Sequence, residues 1–234
     1  MLILTLLQPF HNTLLSASSF PVSSSALSPS IASAFLFPAF KYFPAIPVNI
    51  SPSQDSDTDL STFIRAFLLT DKLHDMHSSL PESKRAELTR VPSLESKFPE
   101  AIDIQHSPTI LICGHSGRDM RCGIMAPVLE EQFRRALRAC GFVSADDSCG
   151  TLDRPDHANV GLISHVGGHK YAGNVIIHIP PGMTSNPLAG KGIWYGRVEP
   201  KHVEGIVQET ILKGRVVEDH FRGGITSDGK ILRL

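Results

Sequence analysis

Charge is missing from the first forty residues of this 234-residue chain: no Asp, Glu, Lys or Arg precedes Lys41. A secretory leader carries a charged n-region ahead of its apolar run, and a mitochondrial presequence is arginine-rich. Neither feature is present, although a serine-rich, acid-free composition does suit a presequence. Residues 1–33 are therefore expected to be a disordered or targeting segment. Cysteine is sparse as well, and four in this length do not make a disulfide scaffold. No apolar run reaches the length that spans a bilayer, so no integral membrane segment is expected. A formal net charge of −1 offers no electrostatic case for nucleic acid. GxGxxG, P-loop and GxSxG motifs are all absent, which removes the common nucleotide and hydrolase signatures.

What is there centres on residues 107–140, SPTILICGHSGRDMRCGIMAPVLEEQFRRALRAC. Thr109–Ile112 is a β-branched, apolar run that suits a buried strand. Pro127 to Leu137 carries Val128, Leu129, Phe133, Ala136 and Leu137 at the spacing of one helical face. Gly114, Gly117 and Gly123 allow a tight loop between strand and helix. Cys113 thus leaves a strand, and Cys122 sits just before a helix, where the helix dipole is expected to favour thiolate. A thiolate so placed is redox-active or metal-bound. Further on, SHVGGHKYAGNVIIHIP holds His165 and His169 with three residues between them. Gly167 and Gly168 disfavour a helix there, so a loop feeding a strand is expected. Two sulfur and two nitrogen ligands make four, a set that satisfies a tetrahedral metal or a pair of irons.

Around this centre the pattern alternates. Residues 34–47, AFLFPAFKYFPAIP, carry three prolines that exclude a single helix and favour extended segments broken by turns. Asp57 or Asp59 can cap a helix running to Met76, with Leu60, Phe63, Ile64, Phe67 and Leu68 as its core face. Residues 79–99 suit a short helix within a surface connection. Gly141 to Asp147 suits a turn or short strand. Strands are expected at 159–164, 174–179 and 192–198, and a helix at 201–212 stopped by Gly214. The order strand, helix, strand, strand, strand, helix is compatible with a thioredoxin-like α/β sandwich.

The runs CGHSGRDMRCG, SHVGGHKYAGN and GIWYGRVEP resemble the sucrase/ferredoxin-like family of thioredoxin-like ferredoxins, in its fungal branch. The resemblance extends from about Phe35 to the C-terminus and is strongest from Ile110 to Gly224. It implies an α/β fold with three parts. Residues 1–33 precede a partial N-terminal subdomain at 34–105, and a thioredoxin-like [2Fe–2S] ferredoxin domain occupies 106–234. It further implies that Cys113, Cys122, His165 and His169 hold a [2Fe–2S] cluster. The implied function is one-electron transfer or mitochondrial thiol and redox homeostasis, as a carrier rather than a catalyst. Neutral imidazoles in place of two thiolates raise a cluster's potential, roughly −150 to +300 mV against about −400 mV in plant-type ferredoxins. An unidentified redox protein is the implied partner, and mitochondria are the implied location, with the cytoplasm as the alternative.

Taken singly, these residues have plainer readings. Cys113 alone suits a small buried hydrophobe, and His165 or His169 alone suits an ordinary loop histidine. Two other classes of function remain open at this stage. Cys2His2 with H-x3-H is a common zinc set, although eight residues between cysteines is a long gap. A dithiol oxidoreductase using Cys113 and Cys122 lacks C-x-x-C and leaves the histidines unexplained. Cys140 reads as a packed thiol and Cys149 as a surface thiol. His115 falls inside the cysteine loop, Arg197 is placed to offset cluster charge, and Trp194 reads as core. His106, His157, His178, His202 and His220 show no partner spacing.

Overall fold

A computed structural model of the chain describes residues 13–21, 28, 30–48, 60–117, 119–144 and 152–233. The chain divides into two compact units. One is built on Phe43–Ile102; the other comprises Asp103–Leu234 with Ser16–Pro21 and Phe35–Tyr42. The strands are β1 (Ile31–Leu36), β2 (Lys41–Pro47), β3 (Ile102–Asp103), β4 (Thr109–Cys113), β5 (Val143–Ser144), β6 (His157–Ile163), β7 (Val175–Ile179), β8 (Lys191–Tyr195), β9 (Phe221–Thr226) and β10 (Ile231–Leu232). The helices are α1 (Leu60–Phe63), α2 (Glu82–Glu87), α3 (Met120–Ala139) and α4 (Val203–Ile206). Wider π turns extend α1 through Ile64–Leu68 and α4 through Val207–Leu212.

The first unit packs around aromatic rings. Phe43 meets Phe63 edge-on at 4.9 Å and Phe67 at 4.6 Å, and both of those rings contact Phe98 at 5.6 Å. Such tilted contacts are the favoured geometry of aromatic pairs. The expected helix from residue 57 or 59 to Met76 stops at Leu69, and Asp57 and Asp59 lie outside the described residues. The reason lies at Thr70, whose hydroxyl donates to the Lys72 carbonyl and whose own carbonyl accepts from the Arg90 N–H. Local side-chain bonding of this kind competes with helix.

The second unit is organised by a seven-stranded sheet in the order β10–β9–β8–β7–β4–β6–β5. β4 and β6 are parallel, while β7 is antiparallel to both β4 and β8. The central β6–β4–β7–β8 order, with α3 between β4 and β6 and α4 after β8, is the thioredoxin-like arrangement expected from sequence. Side chains alternate along each strand. Ile110, Ile112, Val175, Ile177, Ile179 and Ile193 join one core with α3 and α4. Leu111, Cys113, Ile176 and Trp194 belong to a separate cluster. The register sets Leu111 opposite Ile176 and Ile176 opposite Trp194.

Helix α3 begins seven residues before Pro127. Asp119, in extended conformation, accepts a hydrogen bond from the Arg121 N–H at 2.9 Å and caps the helix. Pro127 is accommodated inside the helix, forgoing the bond that its N–H would give to the Gly123 carbonyl. Its buried stripe is Cys122, Ala126, Leu129, Phe133 and Leu137; Val128, expected inside, is exposed. The C-terminal hairpin β9–β10 was not expected from sequence.

Within residues 1–33, Ser16–Pro21 adds to the β6 edge. The Ser19 N–H donates to the Leu162 carbonyl and the Ser164 N–H to Ala17, both at 2.8 Å. Phe20 lies over Gly161, where a Cβ would come within 2.7 Å of its ring. The residues leading into β4 are pinned by Asp153, whose carboxylate accepts N–H bonds from Gln105, His106 and Ser107 at 2.7–3.0 Å. Burial pushes that carboxyl up, and the three amides more than offset it, leaving it below the usual range.

His178 on β7 is buried with its ring stacked on Phe37 at 3.7 Å and edge-on to Phe40 at 6.0 Å. Burial lowers its pKa to about 3. The unfolded chain therefore takes up a proton near pH 6.5 that the folded chain refuses. Stability should fall as pH drops from about 6.5 toward 3, by up to about 1.4 kcal/mol per pH unit from this residue. Urea unfolding at several pH values should show a shallower acid limb in His178→Phe; equal slopes would refute the assignment.

A buried thiol pair beside a histidine loop

Cys113 and Cys122 are brought together by the strand end and the first turn of α3. The Cys113 N–H bonds to the Asn174 carbonyl at 3.0 Å, and the Gly114 N–H to that of Ile163 at 2.9 Å. The chain therefore leaves β4 from a fixed point between its two neighbours. It then turns tightly, with the Asp119 N–H donating to His115 and the Cys122 N–H to Asp119. Gly123 makes the turn possible, because a Cβ there would lie 2.4 Å from Ser116 Cβ. Both thiols are buried in one cluster, near enough for Cys113 to raise the pKa of Cys122.

Backbone donors reach both sulfurs. The Val166 N–H points at Cys113 Sγ at 3.5 Å, and the Gly173 N–H faces Cys122 and favours its ionised form. Ile163 and Val166 enclose the pair, with Leu111, Ala172, Ile176 and Trp194 packed around them. Burial, then the neighbouring Cys113, pushes the Cys122 thiol up to about 11, and the Gly173 amide does not reverse this. The expected thiolate at the helix start is thus corrected: desolvation outweighs the helix dipole. A bound cation would invert that balance, since coordination deprotonates a thiol.

The histidine loop approaches through Val166. His165 is half-buried, and its ring centroid lies 6.3 Å from that of His115. Gly167 adopts φ +79° against Asn174, where a Cβ would meet Oδ1 at 2.8 Å. His169 opens a short 3-10 turn through Tyr171, and its side chain lies outside the described residues. Among the described residues, no group of three or more His, Cys, Asp or Glu is gathered to hold an ion. The structure thus joins the two cysteines, and sets the 165–169 loop against them through Val166.

Sequence reasoning missed the enclosing residues. Trp194 is core, as expected, but the core it joins is the cysteine cluster, and its indole N–H is buried there without an acceptor. His115 Nδ1 is likewise buried without a partner. Period-two alternation along β8 was the available signal, since it separates Trp194 from Ile193 and Tyr195. Cys140 is a packed thiol that accepts from Gln208 at 3.3 Å, and Cys149 lies outside the described residues. No described helix is long and apolar enough to cross a membrane.

Residues 3–223 match the model of the sucrase/ferredoxin-like family. The chain is 37% identical over 166 residues to "Altered inheritance of mitochondria protein 32" of Meyerozyma guilliermondii, covering 70% of this chain and 50% of the relative. Its match to the protein of that name in Clavispora lusitaniae is 34% over 203 residues, covering 77% and 65%. "Actin patches distal protein 1" of Saccharomyces cerevisiae is 32% identical over 133 residues, covering 57% of this chain and 38% of that protein. The chain thus spans half to about two thirds of the first two relatives and less of the third. No solved structure matches significantly.

Gly173 offers a direct test of how the site is held. It adopts φ +90°, and a Cβ would lie 2.5 Å from the Val198 carbonyl oxygen. Gly229 has φ +78° with nothing within 4 Å. Gly229→Ala should cost only about 1–2 kcal/mol of backbone strain. Gly173→Ala should cost clearly more in urea unfolding, because backbone must move as well. Equal losses would show that the close approach to Val198 contributes nothing.

Proposed function

The chain belongs to the sucrase/ferredoxin-like family, and on that premise we propose that it is a one-electron carrier whose [2Fe–2S] cluster is held by Cys113, Cys122, His165 and His169. The observation that carries this reading is the thiol pair buried in one cluster, with backbone N–H groups facing both sulfurs. A dithiol reacting with external substrates needs access and a low pKa. Both thiols are instead at most 3% exposed, and Cys122 is pushed upward.

The two thiols and the groups around them suit such a ligand. Thiolate ligands carry negative charge, and the Val166 and Gly173 amides are placed to stabilise it. The indole N–H of Trp194 is a donor with no acceptor of its own, which a sulfide or thiolate would supply. The apolar ring of Leu111, Ile163, Val166 and Ile176 keeps water from the sulfurs. When bound, the cluster supplies a one-electron couple lying above that of an all-thiolate cluster, because imidazole adds no negative charge. The relatives' names concern mitochondrial inheritance, and the proposal extends a mitochondrial setting to this chain.

Protein purified without oxygen should be brown, with about two irons and two sulfides per chain. Cys113→Ser and His165→Ala should each lose that colour and iron. Colourless protein with about one zinc would replace the carrier by a structural metal module. Trp194→Phe tests the donor: hydrogen bonds to cluster sulfur raise a potential, so its removal should lower the midpoint in electrochemical titration. An unchanged or higher midpoint would assign Trp194 to packing alone.

A further inference from the structure

Three cations gather on one ring beside the histidine loop. Arg222 Cζ lies 3.2 Å from the Tyr171 ring centroid, Lys170 Nζ 5.0 Å and Arg197 Cζ 5.3 Å. All three cations are exposed. Lys201, Lys213, Arg215 and Lys230 each have a carboxylate within ion-pair distance. Among the described residues, Lys170, Arg197 and Arg222 do not.

Arg197 sits there under backbone strain. Its φ is +57°, in the left-handed region that a glycine or asparagine occupies with less penalty. A strained residue persists when its neighbours hold it and its side chain has a use. The neighbours are identifiable. The Arg197 N–H donates to the Tyr171 carbonyl at 3.3 Å, and the Val198 N–H to that of Gly173 at 3.1 Å. Gly196 forms a floor, since a Cβ there would come within 3.1 Å of Arg222 and 3.3 Å of Tyr171. Gly173 is the residue whose own N–H faces Cys122. The cationic ring is therefore tied by backbone, within two residues, to a donor on the sulfur.

We propose that Lys170, Arg197 and Arg222, arrayed on Tyr171, are the docking surface for an acidic protein that exchanges electrons with the Cys113–Cys122 site. The surface rests on the carrier reading above. The partner is a one-electron redox protein with a carboxylate-rich face; as it is oxidised by one electron, the site is reduced by one, or the reverse. The choice of occupant follows from charge. The whole chain carries a formal net charge of −1, so long-range attraction for an anion cannot come from the total. A local group of three exposed cations attracts carboxylates over about one Debye length, roughly 10 Å at 0.1 M salt. Cations serving only to offset charge at the sulfurs need no exposure and no strained arginine.

Stopped-flow oxidation of the reduced full chain by two small probes tests the surface. With the hexacyanoferrate(III) anion, the rate should fall about 3–10-fold as salt rises from about 20 to 300 mM. With the tris(phenanthroline)cobalt(III) cation it should not fall. The K170Q/R197Q/R222Q variant should lose the salt dependence for the anion. Arg197→Gly should lose part of it with a melting temperature at or above that of the parent, since glycine suits φ +57°, which separates lost docking from misfolding. Binding to immobilised poly-L-glutamate at low salt reads the same surface without electron transfer. Equal polyglutamate binding by parent and triple variant, or a hexacyanoferrate rate indifferent to these residues, overturns the docking surface. Iron-free protein with unimpaired polyglutamate binding overturns the carrier reading instead.

Discussion

Two sulfur atoms withdrawn from water set the terms for the second unit. A thiol buried in apolar surroundings resists ionisation, as Cys122 does. Whatever is to use such sulfurs must bring positive charge, and the protein must bring donors that survive when water is gone. Both donors are backbone N–H groups, from Val166 and Gly173, in the connection between β6 and β7. Backbone donors are fixed by sheet and turn geometry, so they cost little further ordering. The price is steric: Gly123, Gly167 and Gly173 stand where a side chain would strike Ser116, Asn174 and Val198. The glycines of this region are consequences of bringing three loops onto one pair of atoms.

The sheet explains why the site lies where it does. Side chains alternate, so β4 sends Ile110 and Ile112 to the helical core and Leu111 and Cys113 to the other cluster. β7 repeats this with Ile177 and Ile176, and β8 with Ile193 and Trp194. A single register thus builds a large core and a smaller cluster around the sulfurs. The same alternation places His178 against Phe37 and Phe40. A histidine whose spacing in sequence points to no partner is an aromatic packing element, kept neutral by burial.

Periodic features were legible in the sequence, and features decided by competition were not. β4, β6, β7 and β8 appear within two or three residues of expectation because each is a run of β-branched or apolar residues between turn signals. The last helix keeps its expected buried set of Val203, Ile206, Val207, Thr210 and Ile211. The start of α3 was misjudged because two starting signals compete, Pro127 at a first-turn position and Asp119 as a cap. The cap prevails because its carboxylate satisfies an N–H that Pro127 cannot. β9 carries two glycines and β10 is two residues long, too little pattern to identify a strand. At the site, spacing singled out the cysteines, while the supporting amides have no side-chain identity and leave no mark in a sequence.

The strained arginine joins these strands of reasoning. Gly173 and Arg197 face each other across one pair of backbone contacts, and both have positive φ. At Gly173 the conformation has a local cause: Val198 leaves no room for a Cβ, and the N–H must reach Cys122. At Arg197 the backbone demand is similar, yet the residue is a long cation, set over Tyr171 with Arg222 and Lys170. Glycine would relax the turn without disturbing its two hydrogen bonds, because both are made by backbone. Packing accounts for the turn but not for the arginine in it. Its charge, exposed and tied through backbone hydrogen bonds to the segment that holds Gly173, is what glycine would remove, and the function of that turn is to present it.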